Sequence, residues 1–389
     1  MAKLKILFLE THYKGESTHG VDYARVVNPA KALMNHPDFE VEIRKNPTEG
    51  YKEKDWNEVT AAFDLIFASY MDSEEGFVLM AMYADKNKTP YIIDIDDNLW
   101  EIPRFSPTYA YYHPGSEKLN TLSLIIEHAP YVATTNMYLK RKLVEYCGKR
   151  YDQVEILPNW IDLNLYDYAR IPQHTSDRIT ISYYGTNTHT IDVLEHEFIS
   201  ALKRVLKENP NVDFETTGFF LPQLKTHLKK QYKYRNGKGN FYEWLNLWGE
   251  IMSITDIVVA PLQNVDFNKC KSNIKYLEYS AAKKPGVYQD IRQYQEMVKD
   301  YNGKPTGLLA SNERQWYEQL TKLIKDKELR KEIGENAYNY IKENHTIQGN
   351  IETYASYLKE VIQKHKGTAS LIAAGFIMPG QTGGGLIES

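Results

Sequence analysis

Short apolar, β-branched runs alternate with longer amphipathic stretches along this chain, and the alternation runs through twice. Candidate strands in the first series are 5–9, 40–44, 65–69, 91–95, 131–135 and 155–157. Helical patterns lie between them at 24–34, 76–85, 117–127 and 137–146. Strand–helix alternation predicts a parallel sheet covered on both faces, with right-handed crossovers. A turn-rich stretch follows at 159–178, with Pro172 and the polar run 173–178, and reads as a linker. The pattern then starts again. A strand at 179–184 leads to a helix at 191–207 and further strands at 213–217, 257–260, 286–288 and 307–310. The end of the chain is helical at 313–326, 327–343 and 347–366.

A chain of 389 residues exceeds the size at which one core usually divides. The expectation is therefore α/β, with two Rossmann-like doubly wound domains. The first covers 1–165 and the second 179–345, with the helix 347–366 returning to the first. Residues 367–389 carry Gly375, Gly380 and Gly383 among few charges and read as a flexible or appended tail.

Composition removes several function classes. The formal net charge is -4, so a generally basic nucleic-acid surface is not indicated. The two cysteines, Cys147 and Cys270, form no CxxC pattern, which speaks against a disulfide framework or a zinc site. The N-terminal segment has only a short apolar run, without the longer core and cleavage site of a signal peptide. No apolar run approaches the roughly 18 residues of a spanning helix. The compartment expected is the cytoplasm. Thirty tyrosines suit contact with sugars or bases, though AT-rich coding is the simpler account of them.

Open α/β sheets bind ligands beyond the carboxyl ends of their strands, at a switch point. Gly185 and Thr186 follow the first strand of the second unit and precede a helix. A glycine there lets a phosphate approach the backbone, and the helix start offers free N–H groups. An ordinary strand–helix turn capped by Thr188 fits the same residues. The segment 264–286 follows the strand 257–260. Ser272 reads as the N-cap of a helix running to about 282, with Lys271 beside it and Asn273 next. Free N–H groups, the helix dipole and a lysine together make a diphosphate site. Glu278 lies within that helix, where a carboxylate can accept ribose hydroxyls. By spacing alone, a surface helix carrying a Lys275–Glu278 pair is served equally well.

These elements together resemble the retaining GT-B-type glycosyltransferases, especially family 4 and its relatives. The resemblance rests on the 185–189 turn, the strand end Ala260-Pro261-Leu262, the run Lys271-Ser272-Asn273-Ile274-Lys275-Tyr276-Leu277-Glu278-Tyr279, the run Ala281-Ala282-Lys283-Lys284-Pro285-Gly286-Val287, and the helical region 329–340. It spans about 3–366 and is dense from 179 to 345. In that family a pair of glutamates flanks the donor. The ribose-holding second glutamate matches Glu278, whereas the first falls at Cys270. Contact between the donor sugar and that first position is thus in question, and Lys271 with the 272–273 backbone takes over the diphosphate.

In the first unit, Asp96 and Asp97 end a strand and should face the cleft. They would position or deprotonate an acceptor hydroxyl, cap the strand, or bind a divalent ion. The spacing lacks an EF-hand's glycine and distal glutamate, and the resemblance implies a donor held without a metal. The aromatic loop 102–115 contains His113, the positional candidate for a family histidine near the donor sugar; a solvated loop histidine is the alternative. The loop 11–20 ends in His19 and Gly20, which by the same resemblance approach donor phosphates or acceptor, unless the loop is only a surface excursion. The stretch 225–238 interleaves Lys225, Lys229, Lys230, Lys233, Arg235 and Lys238 with Tyr232 and Tyr234. This suits single-stranded nucleic acid or a polyanionic acceptor, or simply a solvated helix end and loop.

The function implied is transfer of a sugar from a nucleotide-diphosphate sugar, UDP- or GDP-linked, to an acceptor hydroxyl on a glycan or cell-surface polymer, with retention. The alternatives are an enzyme that glycosylates DNA bases, which the acidic balance disfavours, and a degenerate sugar-binding or scaffold protein.

Overall fold

Strands apolar on both faces have to be buried on both faces, and each series forms its own six-stranded parallel sheet. The computed structural model describes residues 2–11, 18–45, 51–70, 73–167, 171 and 176–365. The first sheet is built from β1 (Leu4–Glu10), β2 (Phe39–Lys45), β3 (Leu65–Ser69), β4 (Tyr91–Ile95), β5 (Tyr131–Thr134) and β6 (Val154–Ile156). Its order is β2-β1-β3-β4-β5-β6, so the winding reverses between β1 and β3. Register pairs Phe8 with Phe67 and Ala68 with Ile93.

The second sheet contains β7 (Ile179–Tyr184), β8 (Val212–Thr217), β9 (Tyr232–Arg235), β10 (Ile257–Ala260) and β11 (Gly286–Gln289). A small antiparallel hairpin of β12 (Asp300–Tyr301) and β13 (Lys304–Pro305) precedes the last strand, β14 (Leu308–Ala310). The order is β14-β11-β10-β7-β8-β9, and the reversal falls between β7 and β10.

Each sheet is covered on both faces by helices whose apolar side chains fill the layers between. Ile6, Leu7, Phe8 and Leu9 are fully buried, each stabilising by about 1.5–3 kcal/mol relative to exposure. The helix Ile347–Lys364 leaves the second unit and lays Tyr354, Leu358 and Val361 against Ile6, Phe8 and Phe67 of the first. The tail 367–389, residues 168–170 and 172–175 of the expected linker, and 12–17 of the N-terminal loop lie outside the described residues.

Two expectations are corrected, and two helices are new. The helix expected at 191–207 is broken into Thr190–Val193 and His196–Glu208, after a turn at Asn187–His189. The stretch 225–238, expected as helix end and loop, continues from the helix Pro222–Leu228 into β9, an edge strand. The helices Glu53–Ala62 and Phe241–Ile254 were not anticipated. The second reads as an aromatic run, and four of its residues are buried.

Among the described residues, the two units meet on both sides of the cleft. Tyr23 stacks on Phe241 with ring centroids 3.6 Å apart, and the Phe241 N–H donates to the Thr18 carbonyl at 2.9 Å. On the other side, the segment following β10 docks on the ends of β4 and β5.

Candidate active site

Both sheets present their switch points to the same cleft. On the second sheet, Gly185 follows β7, and its N–H donates to the Thr217 carbonyl at 3.1 Å. A Cβ at Gly185 would meet the His189 ring at 3.0 Å. Its neighbour Gly218 has φ +95, and a Cβ there would lie 1.9 Å from the Gly185 carbonyl oxygen. Gly237 packs on Gly218 in turn. The ends of β7, β8 and β9 are therefore stacked backbone to backbone. Thr186, not Thr188, occupies the cap position of the 187–189 turn, and the two hydroxyls lie 2.6 Å apart.

The helix after β10 is Ile274–Ala281, capped by Asn273 and not by Ser272. Ser272 is engaged otherwise: its Oγ accepts from Asn159 Nδ2 at 2.9 Å. Asn273 Nδ2 donates to Met297 Sδ at 3.0 Å. Lys271 lies over the Phe267 ring and 3.4 Å from Asp97 of the first unit. One helical turn further, Lys275 lies over the rings of Tyr183 and Tyr184 at 5.3 and 5.4 Å. Burial lowers its ammonium to about 8; Glu278 opposes this and Lys271 adds to it. His189 Nδ1 donates to the Asp192 carboxylate at 2.9 Å. Burial and then Lys275 lower its imidazole to about 4, so it is neutral at pH 7.

Glu278 is only 8% exposed. Its carboxylate accepts from Tyr166 at 3.2 Å and from the Tyr184 hydroxyl through its other oxygen. Burial raises its pKa, while Tyr184 and Lys275 pull it down.

In the first unit, Asp94 is not a cleft group. It forms a fully buried bidentate pair with Arg25, at 2.6 and 2.9 Å. Arg25 also donates to the Leu157 carbonyl and to Asn159 Oδ1. Asp96 and Asp97 are half-buried beyond the end of β4, and both raise the pKa of the Tyr70 hydroxyl, whose burial contributes most. His113 Nδ1 lies 3.1 Å from the Pro114 carbonyl, with its ring beside Tyr109. Among the described contacts none joins His113 to Lys271, Lys275 or Glu278. Its loop does cross the cleft, since the Pro107–Ala110 turn abuts the Asn187–His189 turn. His19 caps the helix start Gly20–Asp22, accepting from the Val21 N–H at 3.4 Å. A Cβ at Gly20 would face open space.

Residues 175–340 match the family model of glycosyl transferases group 1. The chain carries a group 1 glycosyltransferase domain. Solved structures share its whole fold, which is GT-B. Anabaena HepE, solved with UDP-glucose, has a TM-score of 0.62 at 15% identity, over 92% of this chain and all of that one. A glycosyltransferase from Rickettsia africae gives 0.61 at 14%, over 93% and 99%. Sucrose-phosphate synthase from Thermosynechococcus elongatus gives 0.60 at 12%, over 93% and 100%. No curated protein matches the chain in sequence.

The resemblance to family 4 implies a first glutamate where this chain has a cysteine. Cys270, which stands at the first glutamate's position, is fully buried in the apolar cluster of the first unit. Its Sγ lies 3.6 Å from Asn98 Nδ2, and its carbonyl accepts from Asn136 Nδ2 at 2.6 Å. A side chain there holds the two units together and is not open to a ligand.

Sequence reasoning about the glycosyltransferase missed Lys275, Tyr166, Tyr184 and Glu10 as site residues. Lys275 carried a usable signal, one helical turn beyond Lys271 on the same face. Glu10 ends β1 at the first switch point, and one of its buried carboxylate oxygens has no partner among the described residues. Among the described residues, no group of three or more His, Cys, Asp or Glu is placed to hold a metal ion.

Proposed function

We propose that this glycosyltransferase moves a sugar from a nucleotide-diphosphate sugar, UDP- or GDP-linked, to an acceptor hydroxyl on a glycan or cell-surface polymer, with retention. The reading rests on one observation: Lys271, Lys275 and the start of the helix Ile274–Ala281 converge at the β7/β10 switch point, with Glu278 further along that helix. Two ammonium groups and free helix N–H groups suit a diphosphate. Gly185 and Thr186 offer backbone and hydroxyl beside it. Glu278 suits a ribose, whose hydroxyls would take over from those of Tyr166 and Tyr184. HepE, solved with UDP-glucose, supports the UDP-linked form.

In this reading the second domain (179–345) holds the donor, and the first (1–165, with the returning helix) presents the acceptor. Asp97 faces Lys271 across the cleft, and Asp96 stands beside it. In this reading both orient an acceptor hydroxyl, together with His113, His19 and Gly20. In a same-face reaction the leaving diphosphate itself takes the acceptor proton. The protein then stabilises charge on the phosphates, without a metal, through Lys271, Lys275 and backbone N–H groups. Closure of the cleft excludes water and favours transfer over hydrolysis. No described helix is long and apolar enough to cross a membrane, and the reading places the enzyme in the cytoplasm.

A thermal-shift screen of nucleoside diphosphates and nucleotide sugars tests the proposal. A ligand at 100 times its dissociation constant stabilises by about 2.7 kcal/mol. A screen in which none of them raises the melting temperature refutes it.

A further inference from the structure

Residues 216–242 contain five lysines and Arg235 but no aspartate or glutamate, in a chain of net charge -4. Arg235 is occupied by Glu215. Lys225, Lys229, Lys230, Lys233 and Lys238 are all exposed, and among the described residues no ion pair joins any of them to an acidic side chain. They surround the edge strand β9 and the helix Pro222–Leu228 before it. Between them lie two exposed rings, Phe220 (46% exposed) and Tyr234 (39%), packed edge to face with centroids 5.4 Å apart. Lys229 sits at φ +49, in a turn uncommon for a residue with a side chain.

One edge lysine is enough to block strand-to-strand pairing. Five unpaired lysines around two exposed rings go beyond that need. The patch is also continuous with the cleft, because Gly237 packs on Gly218 and Gly218 on Gly185.

We propose that this flank is an exosite for a linear polyanionic acceptor, a polyol chain linked by phosphodiesters, which runs from the cleft across the end of β9. The inference rests on the transferase reading above and names its acceptor class. Lysine ammoniums bind phosphate as point charges, without the fixed geometry that an arginine fork imposes, and the patch's only arginine is already paired with Glu215. The edge-to-face rings offer apolar surface to a polyol backbone but no open parallel platform for successive bases.

The test is fluorescence anisotropy of the full chain with labelled poly(glycerol phosphate), at low salt. A neutral oligosaccharide, single-stranded DNA of equal charge and anionic phospholipid vesicles serve as comparisons. The polymer is expected to bind most tightly, weakening as salt rises. The triple variant Lys229→Glu, Lys230→Glu, Lys233→Glu is expected to lose about tenfold or more in affinity for it, with the melting shift caused by nucleotide sugar unchanged. Phe220→Ala is expected to weaken the polymer several-fold. Equal polymer affinity in the triple variant overturns the exosite, as does tighter binding of DNA or vesicles. Absence of any nucleotide-sugar shift in the unmodified chain instead overturns the donor reading, independently of the patch.

Discussion

Lys271 of the second domain and Asp97 of the first form an ion pair of 3.4 Å across the cleft. The two were singled out separately, one as a phosphate group and the other as an acceptor group, and they meet. The carboxylate occupies the lysine. If Lys271 holds the donor diphosphate as proposed, binding has to draw it away from Asp97, which is then released toward the acceptor side. Asp97→Asn is expected to tighten nucleoside diphosphate binding several-fold while lowering the transfer rate. Calorimetry alongside a transfer assay checks both directions; weaker diphosphate binding would contradict this coupling.

Glu278 is expected to matter for both fold and donor. In Glu278→Ala the buried hydroxyls of Tyr166 and Tyr184 lose their acceptor, at a cost of about 1–3 kcal/mol. Nucleotide affinity should fall at least tenfold. Tyr166→Phe removes one hydroxyl and keeps the carboxylate, so it should retain most of the affinity. Binding isotherms of the two variants separate the contributions.

Lys275 gives a pH dependence of definite sign. Burial lowers it to about 8, so diphosphate affinity should weaken as pH rises through 8 and the ammonium is lost. Between about 8 and the ordinary lysine value, the folded protein holds fewer protons at this site than the unfolded chain does. The contribution of this site to stability therefore rises with pH over the same window. Lys275→Arg keeps its charge and should flatten the affinity profile. A profile of the unmodified enzyme that is flat from pH 7 to 9 would remove Lys275 from the site.

The Arg25–Asp94 pair is buried to 1% exposure on both sides. Removing one partner strands a charge, and Asp94→Ala is expected to cost about 3–5 kcal/mol. Because Arg25 also holds Asn159, which in turn donates to Ser272, donor affinity should fall together with the melting temperature.

Gly218→Ala tests the stacked strand ends. Its Cβ would lie 1.9 Å from the Gly185 carbonyl oxygen, at a φ that side chains disfavour. A loss of about 2 kcal/mol or more in denaturant unfolding is expected, with donor binding impaired through the displaced Gly185 turn.

The sequence made the central strands legible. The strands 65–69, 91–95, 179–184 and 257–260 were read to the residue, because burial on both faces leaves unbroken apolar runs. β9 was not read. It is short, it lies at an edge, and its alternate positions carry Lys233 and Arg235. At the site, local spacing marked Lys271 and Glu278 but not what they touch. Asp97 is 174 positions from Lys271, and Tyr166 is 112 from Glu278. Only the packing of two sheets brings such pairs together, and no periodicity within one helix encodes it. The Ser272 cap was misread for the same reason, since its hydroxyl is taken by Asn159 from the other unit.

The helix Ile347–Lys364 supplies Tyr354, Leu358 and Val361 to the core around β1, and this has a consequence for biosynthesis. β1 leaves the ribosome some 337 positions ahead of Ile347, and one of its faces stays uncovered until this helix has been made. At about 5–20 residues per second, that wait is on the order of tens of seconds. A chain stalled or cut before residue 347 would carry the Ile6 and Phe8 face open to water, and such an intermediate is a natural client for a chaperone.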